Sequence, residues 1–198
     1  MCRVDKNCPI LDNLERTKET AHIRMSPEVA TKLLFILATS RKEVAWHGTV
    51  RKLQKGEYSW EDIVIYPQVV TGGSVRCDGE DEDGKIEYAK WQMNMCLTDP
   101  DLFDSIKLHG HSHVFMDVTP SYTDKDYQID TIEQLQENSF YVFMIINKRL
   151  DCHAKIADRE DNLLYTSVVF DTEDELLRKT AQEIEDNVQE EASSYGHK

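Results

Sequence analysis

The chain has 198 residues, enough for one domain with a real core, and 40% of them are hydrophobic, too many for a disordered polypeptide. Its 37 acidic and 23 basic residues leave a formal charge of −14, a surface that repels phosphate backbones and argues against nucleic acid as a general partner. The cysteines are five, an odd set with no CxxC pair, which argues against a disulfide framework and a structural zinc knuckle.

The amino-terminal stretch "MCRVDKNCPILDNLERTKET" is polar and helix-like and carries no apolar signal core. No apolar run approaches the ~20 residues of a membrane span. The expectation is a cytoplasmic protein of a reducing compartment with no membrane partner. In "SPEVATKLLFILATS" Ser26 is placed to cap a helix, Pro27 takes its first position and Glu28 its first turn. Val29, Leu33, Leu34 and Leu37 then recur at helical spacing, which predicts a helix of about three turns.

"KEVAWHGTV" reads as a strand ending near Gly48, and "WEDIVIYPQVV" as a second strand with Pro67 at its end or on an edge. "CDGEDEDGK" superficially resembles a calcium loop. Gly84 falls one place late, however, and no glutamate stands at the twelfth position, so a solvated acidic loop is the reading. "KIEYAKWQMNMCL" is helical in pattern, and "DSIKLHGHSH" runs from a strand into a histidine cluster. A helix is predicted to begin near Thr123, followed by three strands, "FYVFMIIN", "CHAKIAD" and "LLYTSVVF".

From Asp171 onward Leu176, Leu177, Ala181, Ile184 and Val188 form one helical stripe among acids. Such a stripe either docks on its own core or meets a partner helix, a homodimer contact included. With no repeat and no linker, the chain divides into one domain over 1–170 and an acidic amphipathic helix over 171–198. The order, a helix and then strands interrupted by two helices, predicts an α/β or α+β fold.

The chemistry concentrates in "KLHGHSHVFMDVTPSYTDKD". Residues two apart on a strand point the same way, so His111 and His113 would present imidazoles side by side, and Asp124 at the next helix start could return to the same point. Two imidazoles and a carboxylate, with a fourth position open, are a catalytic zinc arrangement. Taken singly, clustered histidines suit a solvated loop and Ser121 suits a helix cap. The joint spacing HxHx7SxxD, from His111 and His113 to Ser121 and Asp124, outweighs that blander reading.

This pattern resembles the JAMM motif of the MPN (JAB) domain metallopeptidases, with a texture similar to stand-alone prokaryotic and phage-encoded members. The likeness covers about 23–146, including "SPEVATKLLFILATSRKEVAWHG", whose Glu43 matches the family's acid after the first helix. It implies an MPN fold, a mixed β-sheet flanked by helices. It also implies one zinc per chain on His111, His113 and Asp124. Glu43 would take the proton of the attacking water and pass it to the leaving amine, and Ser121 would help hold the oxyanion. The implied activity is hydrolysis of an amide or isopeptide bond in a protein or peptide substrate, ubiquitin-like proteins among them.

Two residues depart from the family, Val114 where proline is usual and Tyr122 where glycine is common. The stretch 130–140 holds neither His nor Cys, so no second zinc is expected. His109 reads as a satisfied histidine near the core or as a residue orienting a ligand, and His47, four after Glu43, as a residue on the same strand face. His22, His153 and His197 carry no signal, and the cysteines read as small core residues.

"HGHSH" is also similar to the closing motif of two-metal phosphoesterases, whose upstream motifs are missing here. An amidohydrolase barrel needs ~250 residues, more than this chain has. A DNA-linked RadC-like role conflicts with the charge. A non-catalytic MPN scaffold is the alternative that stays, but scaffolding members usually lose ligands and this chain keeps all five functional positions.

Overall fold

The first described strand already departs from expectation. The computed structural model describes residues 14–70, 75–76, 82–172, 179 and 182. It opens with β1 (Glu15–Met25), a strand where the polar amino-terminal sequence has a helix-like pattern. Ala21 and Ile23 alternate inward from β1, Met25 at its end packs against the same core, and the other side chains of the strand are polar. α1 (Pro27–Thr39) follows as expected, with Ser26 Oγ accepting the Val29 N–H at 3.2 Å.

Next come β2 (Ala45–Gln54) and β3 (Glu57–Val64), turned at Gly56 with φ 75°, and the short β4 (Val69–Val70) and β5 (Val75–Arg76). β2 thus runs six residues beyond the expected end at Gly48. α2 (Glu82–Thr98) and the unforeseen α3 (Pro100–Ser105) lead into β6 (Ile106–Ser112). α4 (Tyr122–Gln134) is the helix expected near Thr123, and β7 (Phe140–Ile146), β8 (Cys152–Asp158) and β9 (Leu163–Thr172) are the three expected strands.

Seven of these strands close into a barrel in the order β1-β3-β2-β6-β7-β8-β9. Parallel ladders join β9 to β1, β1 to β3 and β6 to β7, and the remaining ladders are antiparallel. This corrects the expected fold: the chain is a closed mixed barrel, whereas an MPN domain is a sheet flanked by helices. The reason is the parallel β1–β9 ladder, which joins the two ends of the described chain from Glu15–Leu163 to Met25–Thr172. A domain core of 23–146 would lack most of β1 and all of β8 and β9, without which the barrel does not close. Closure leaves the seven barrel strands without an open edge, while β4 and β5 pair as a separate two-stranded sheet.

Alternation along the strands sorts side chains into two environments. Inside lie Ile23, Trp46, Tyr58, Trp60, Ile63, Leu108, Val142, Met144, Ile156 and Tyr165, joined by the Val29, Leu33, Ile36 and Leu37 stripe of α1. Gly110 faces the same interior opposite Trp46, and a Cβ there would lie 2.5 Å from the indole Nε1. Outside, Ile132 of α4 covers Phe143, Ala157 and Leu164. β7 is therefore buried on both faces, which explains its unbroken apolar run "FYVFMII". Cys96 and Cys152 are exposed and do not fill the core as expected. The apolar carboxy-terminal stripe and most of the acidic loop fall outside the described residues. Among the described residues no helix is long and apolar enough to cross a membrane.

Candidate metal centre

Strand alternation puts His109 and His111 on the outer wall of the barrel, facing α4. β6 ends at Ser112, where it is tied to the residue before β2: the Ser112 N–H donates to Val44 O at 2.9 Å and the Val44 N–H to Ser112 Oγ at 3.0 Å. His113 continues the line, its N–H donating to Ile146 O at 2.9 Å. The chain then turns through Val114, at φ 41°, and returns to the wall at the start of α4.

There the Asp124 N–H donates to Ser121 Oγ at 3.2 Å and the Ser121 N–H to Asp124 Oδ2 at 2.7 Å, a reciprocal capping box. Ser121 is thus a helix cap, and the cap also aims a carboxylate. With Oδ2 held by the backbone, Oδ1 of Asp124 faces His111 Nε2 at 3.5 Å.

One ligand atom from each of His111, His113 and Asp124 lies within 4.8 Å of the others, so the three could hold a metal ion. The two Nε2 atoms are 3.1 Å apart. His113 Nδ1 lies 2.5 Å from the Asp117 carbonyl, which only accepts, so the ring proton is on Nδ1 and Nε2 offers its lone pair. Burial pushes the His111 imidazole down to about 4; Asp124 opposes that shift and His113 adds to it. Two imidazoles and a carboxyl group converging on one point suit a divalent cation that accepts nitrogen and oxygen ligands.

Glu43 stands two residues before β2. The β2–β6 register pairs His47 with His109 and Ala45 with His111, and through Val44 and Ser112 it brings Glu43 opposite His113. Glu43 is only 4% exposed, and its Oε1 is buried without a hydrogen-bond partner. Burial raises its pKa most, His113 lowers it and Asp124 raises it again. A desolvated carboxyl with a free oxygen beside a candidate metal centre is suited to proton transfer. Gln68 secures the strand end that carries it: its Oε1 accepts the Ala45 N–H at 2.9 Å and its Nε2 donates to Ala45 O at 2.8 Å.

His109 stands outside the ligand set, with its Nε2 3.1 Å from the Tyr66 hydroxyl and its ring beside Tyr127. If a metal ion occupies the centre, His109→Ala is therefore expected to keep most of it, with at most a modest loss, by metal content of the purified protein. A loss equal to that of His111→Ala would mean that the wrong pair of histidines has been named.

His47 lies in a cluster with Tyr66, Tyr88 and Trp91, its Nε2 2.9 Å from the Tyr88 hydroxyl and its ring stacked on Trp91. Burial lowers its pKa from 6.5 to about 4. Between those values the unfolded chain binds a proton that the folded chain refuses. Stability from this group is therefore complete above about pH 6.5 and falls towards pH 4, by up to about 3 kcal/mol. Urea unfolding at pH 7 and pH 4.5 should show a smaller acid loss in His47→Phe than in wild type; an equal loss would contradict this origin.

Sequence reasoning missed Tyr66, Gln68, Tyr88, Trp91 and Asn147. Only Tyr88 and Trp91, three apart on a predicted helix, left a signal that pattern reading could have used. Fold and site together define a mixed β-barrel with a candidate metal centre on its outer wall. A scan of family models finds no match to the chain, and a search of curated proteins finds no similar sequence.

Proposed function

We propose that this protein is a zinc-dependent hydrolase of amide or isopeptide bonds, acting near the C-terminal tail of a ubiquitin-like or other small protein substrate. The observation that carries the reading is the convergence of His111, His113 and Asp124 within 4.8 Å, with the buried, unpartnered Glu43 carboxyl oxygen on the same wall. The chemistry follows the JAMM metallopeptidases, which the motif resembles, although the barrel differs from their fold.

Zinc held there would supply Lewis acidity towards the carbonyl and bring the pKa of a water to ~7. Glu43 accepts a proton from the attacking water as its oxygen bonds to the carbonyl carbon. It then delivers that proton to the nitrogen as the C–N bond breaks, leaving an acid and an amine. Ser121 Oγ already accepts from the Asp124 N–H, so its own O–H remains to donate to the carbonyl oxygen as negative charge develops there. His113 keeps its lone pair directed inward because Asp117 holds the opposite ring nitrogen.

The test is a panel of ubiquitin-like proteins carrying amide-linked C-terminal reporters, offered to zinc-loaded and chelator-treated protein. Zinc-dependent cleavage of at least one member is expected. A protein that binds one zinc and cleaves none would contradict the hydrolase reading.

A further inference from the structure

Asn147, directly after β7, is fully buried at 0% exposure. A primary amide in that environment needs partners for both N–H groups and for its oxygen. Oδ1 accepts the Arg149 and Asp151 N–H groups at 2.9 and 3.0 Å, and Nδ2 donates to Asp151 Oδ2 at 2.9 Å. Those bonds organise its own turn. The fourth leaves it: Nδ2 donates to the Met116 carbonyl at 3.1 Å, in the loop that follows His113.

One peptide further along that loop, the Asp117 carbonyl takes the Nδ1–H of His113. The loop is not relaxed, because Val114 holds φ 41°, a left-handed conformation costly for a β-branched side chain. Such a conformation persists only when its surroundings over-determine it. The Met116 N–H to His113 O bond, at 2.7 Å, and the Lys148 N–H to Val114 O bond, at 2.8 Å, fix the near end of the loop. Asn147 fixes the end next to Asp117.

We infer that Asn147 is a positioning residue for the metal centre: by pinning the Met116 carbonyl it holds the adjoining Asp117 carbonyl, which sets the tautomer and ring direction of His113. The inference rests on the reading that His111, His113 and Asp124 hold a metal ion. Groups that orient a ligating histidine typically govern metal affinity by ~10- to 100-fold.

The experiment is Co2+ affinity of the full chain, by chelator competition and visible absorption, below the melting temperature of each variant. Asn147→Ala is expected to bind Co2+ ~10- to 100-fold more weakly, with altered absorption bands. Asp158→Asn is the control for mere loss of stability. Asp158 is also fully buried and bonds Tyr58 Oη at 2.6 Å and Lys52 Nζ at 2.9 Å, but it pairs with Phe140 at the other end of β7. It should melt earlier while keeping the wild-type Co2+ affinity.

A folded Asn147→Ala protein with wild-type affinity and bands would overturn the inference. If that variant does not fold, Asp151→Ala removes one amide acceptor from an exposed position and is expected to weaken Co2+ binding several-fold; unchanged affinity there overturns it equally. Wild-type protein that takes up no Co2+ strikes the metal reading itself, and this inference falls with it.

Discussion

Glu43→Gln is expected to lower turnover by ~100- to 10,000-fold while metal content and melting temperature stay close to wild type. The amide keeps the size of the carboxyl and can still form hydrogen bonds, but it takes no proton at neutral pH. Glu43 sits opposite His113 through the β2–β6 register, with Oε1 unpartnered, so the substitution should break no bond that this oxygen makes in the fold. The measurement is single-turnover cleavage of the best reporter substrate, with zinc content determined on the same sample. Loss of the zinc would instead make Glu43 a ligand, and unchanged turnover would remove it from the chemistry. Ser121→Ala should lie between, near the ~100- to 1,000-fold cost of one oxyanion donor. It should also lose stability, because Ser121 caps α4.

His113→Ala is expected to strip most of the metal, since three protein ligands become two. The loss should exceed the ~10- to 100-fold that follows removal of a group behind a ligand. His113 Nε2 lies 3.1 Å from His111 Nε2, so the substitution removes one of the two imidazoles that converge there. His109 is no substitute, because its Nε2 is engaged with Tyr66. Metal analysis after dialysis reads the result, and full occupancy in His113→Ala would move the centre elsewhere.

The candidate site was legible in the sequence because its geometry is local. Strand alternation carries His111 towards α4, and the S-x-x-D spacing of Ser121 and Asp124 is itself a helix-start signal that also turns a carboxylate towards the wall. Glu43 is different: only the resemblance singled it out, and its place opposite His113 depends on a register across residues far apart in sequence. The strands after the motif were also legible, from their apolar runs.

The barrel was not. Its closure depends on β1, whose inward residues include only Ala21 and Ile23 as fully buried apolar side chains. The partner strand of β1 is β9, and no local pattern records a parallel ladder between the two ends of a chain. Gln68 and Asn147 escaped notice for a related reason. A side-chain amide that bonds backbone across a loop has no periodicity, so its role emerges only when its partners are in place.

One metal ion is expected on His111, His113 and Asp124. Native mass spectrometry of the full chain, purified without chelators and with zinc in the medium, reads that occupancy. The expected result is one zinc per chain, released by chelator and restored by added zinc, and absent from His113→Ala. Wild-type protein that stays metal-free in the presence of zinc, or His113→Ala that retains a full equivalent, would contradict it.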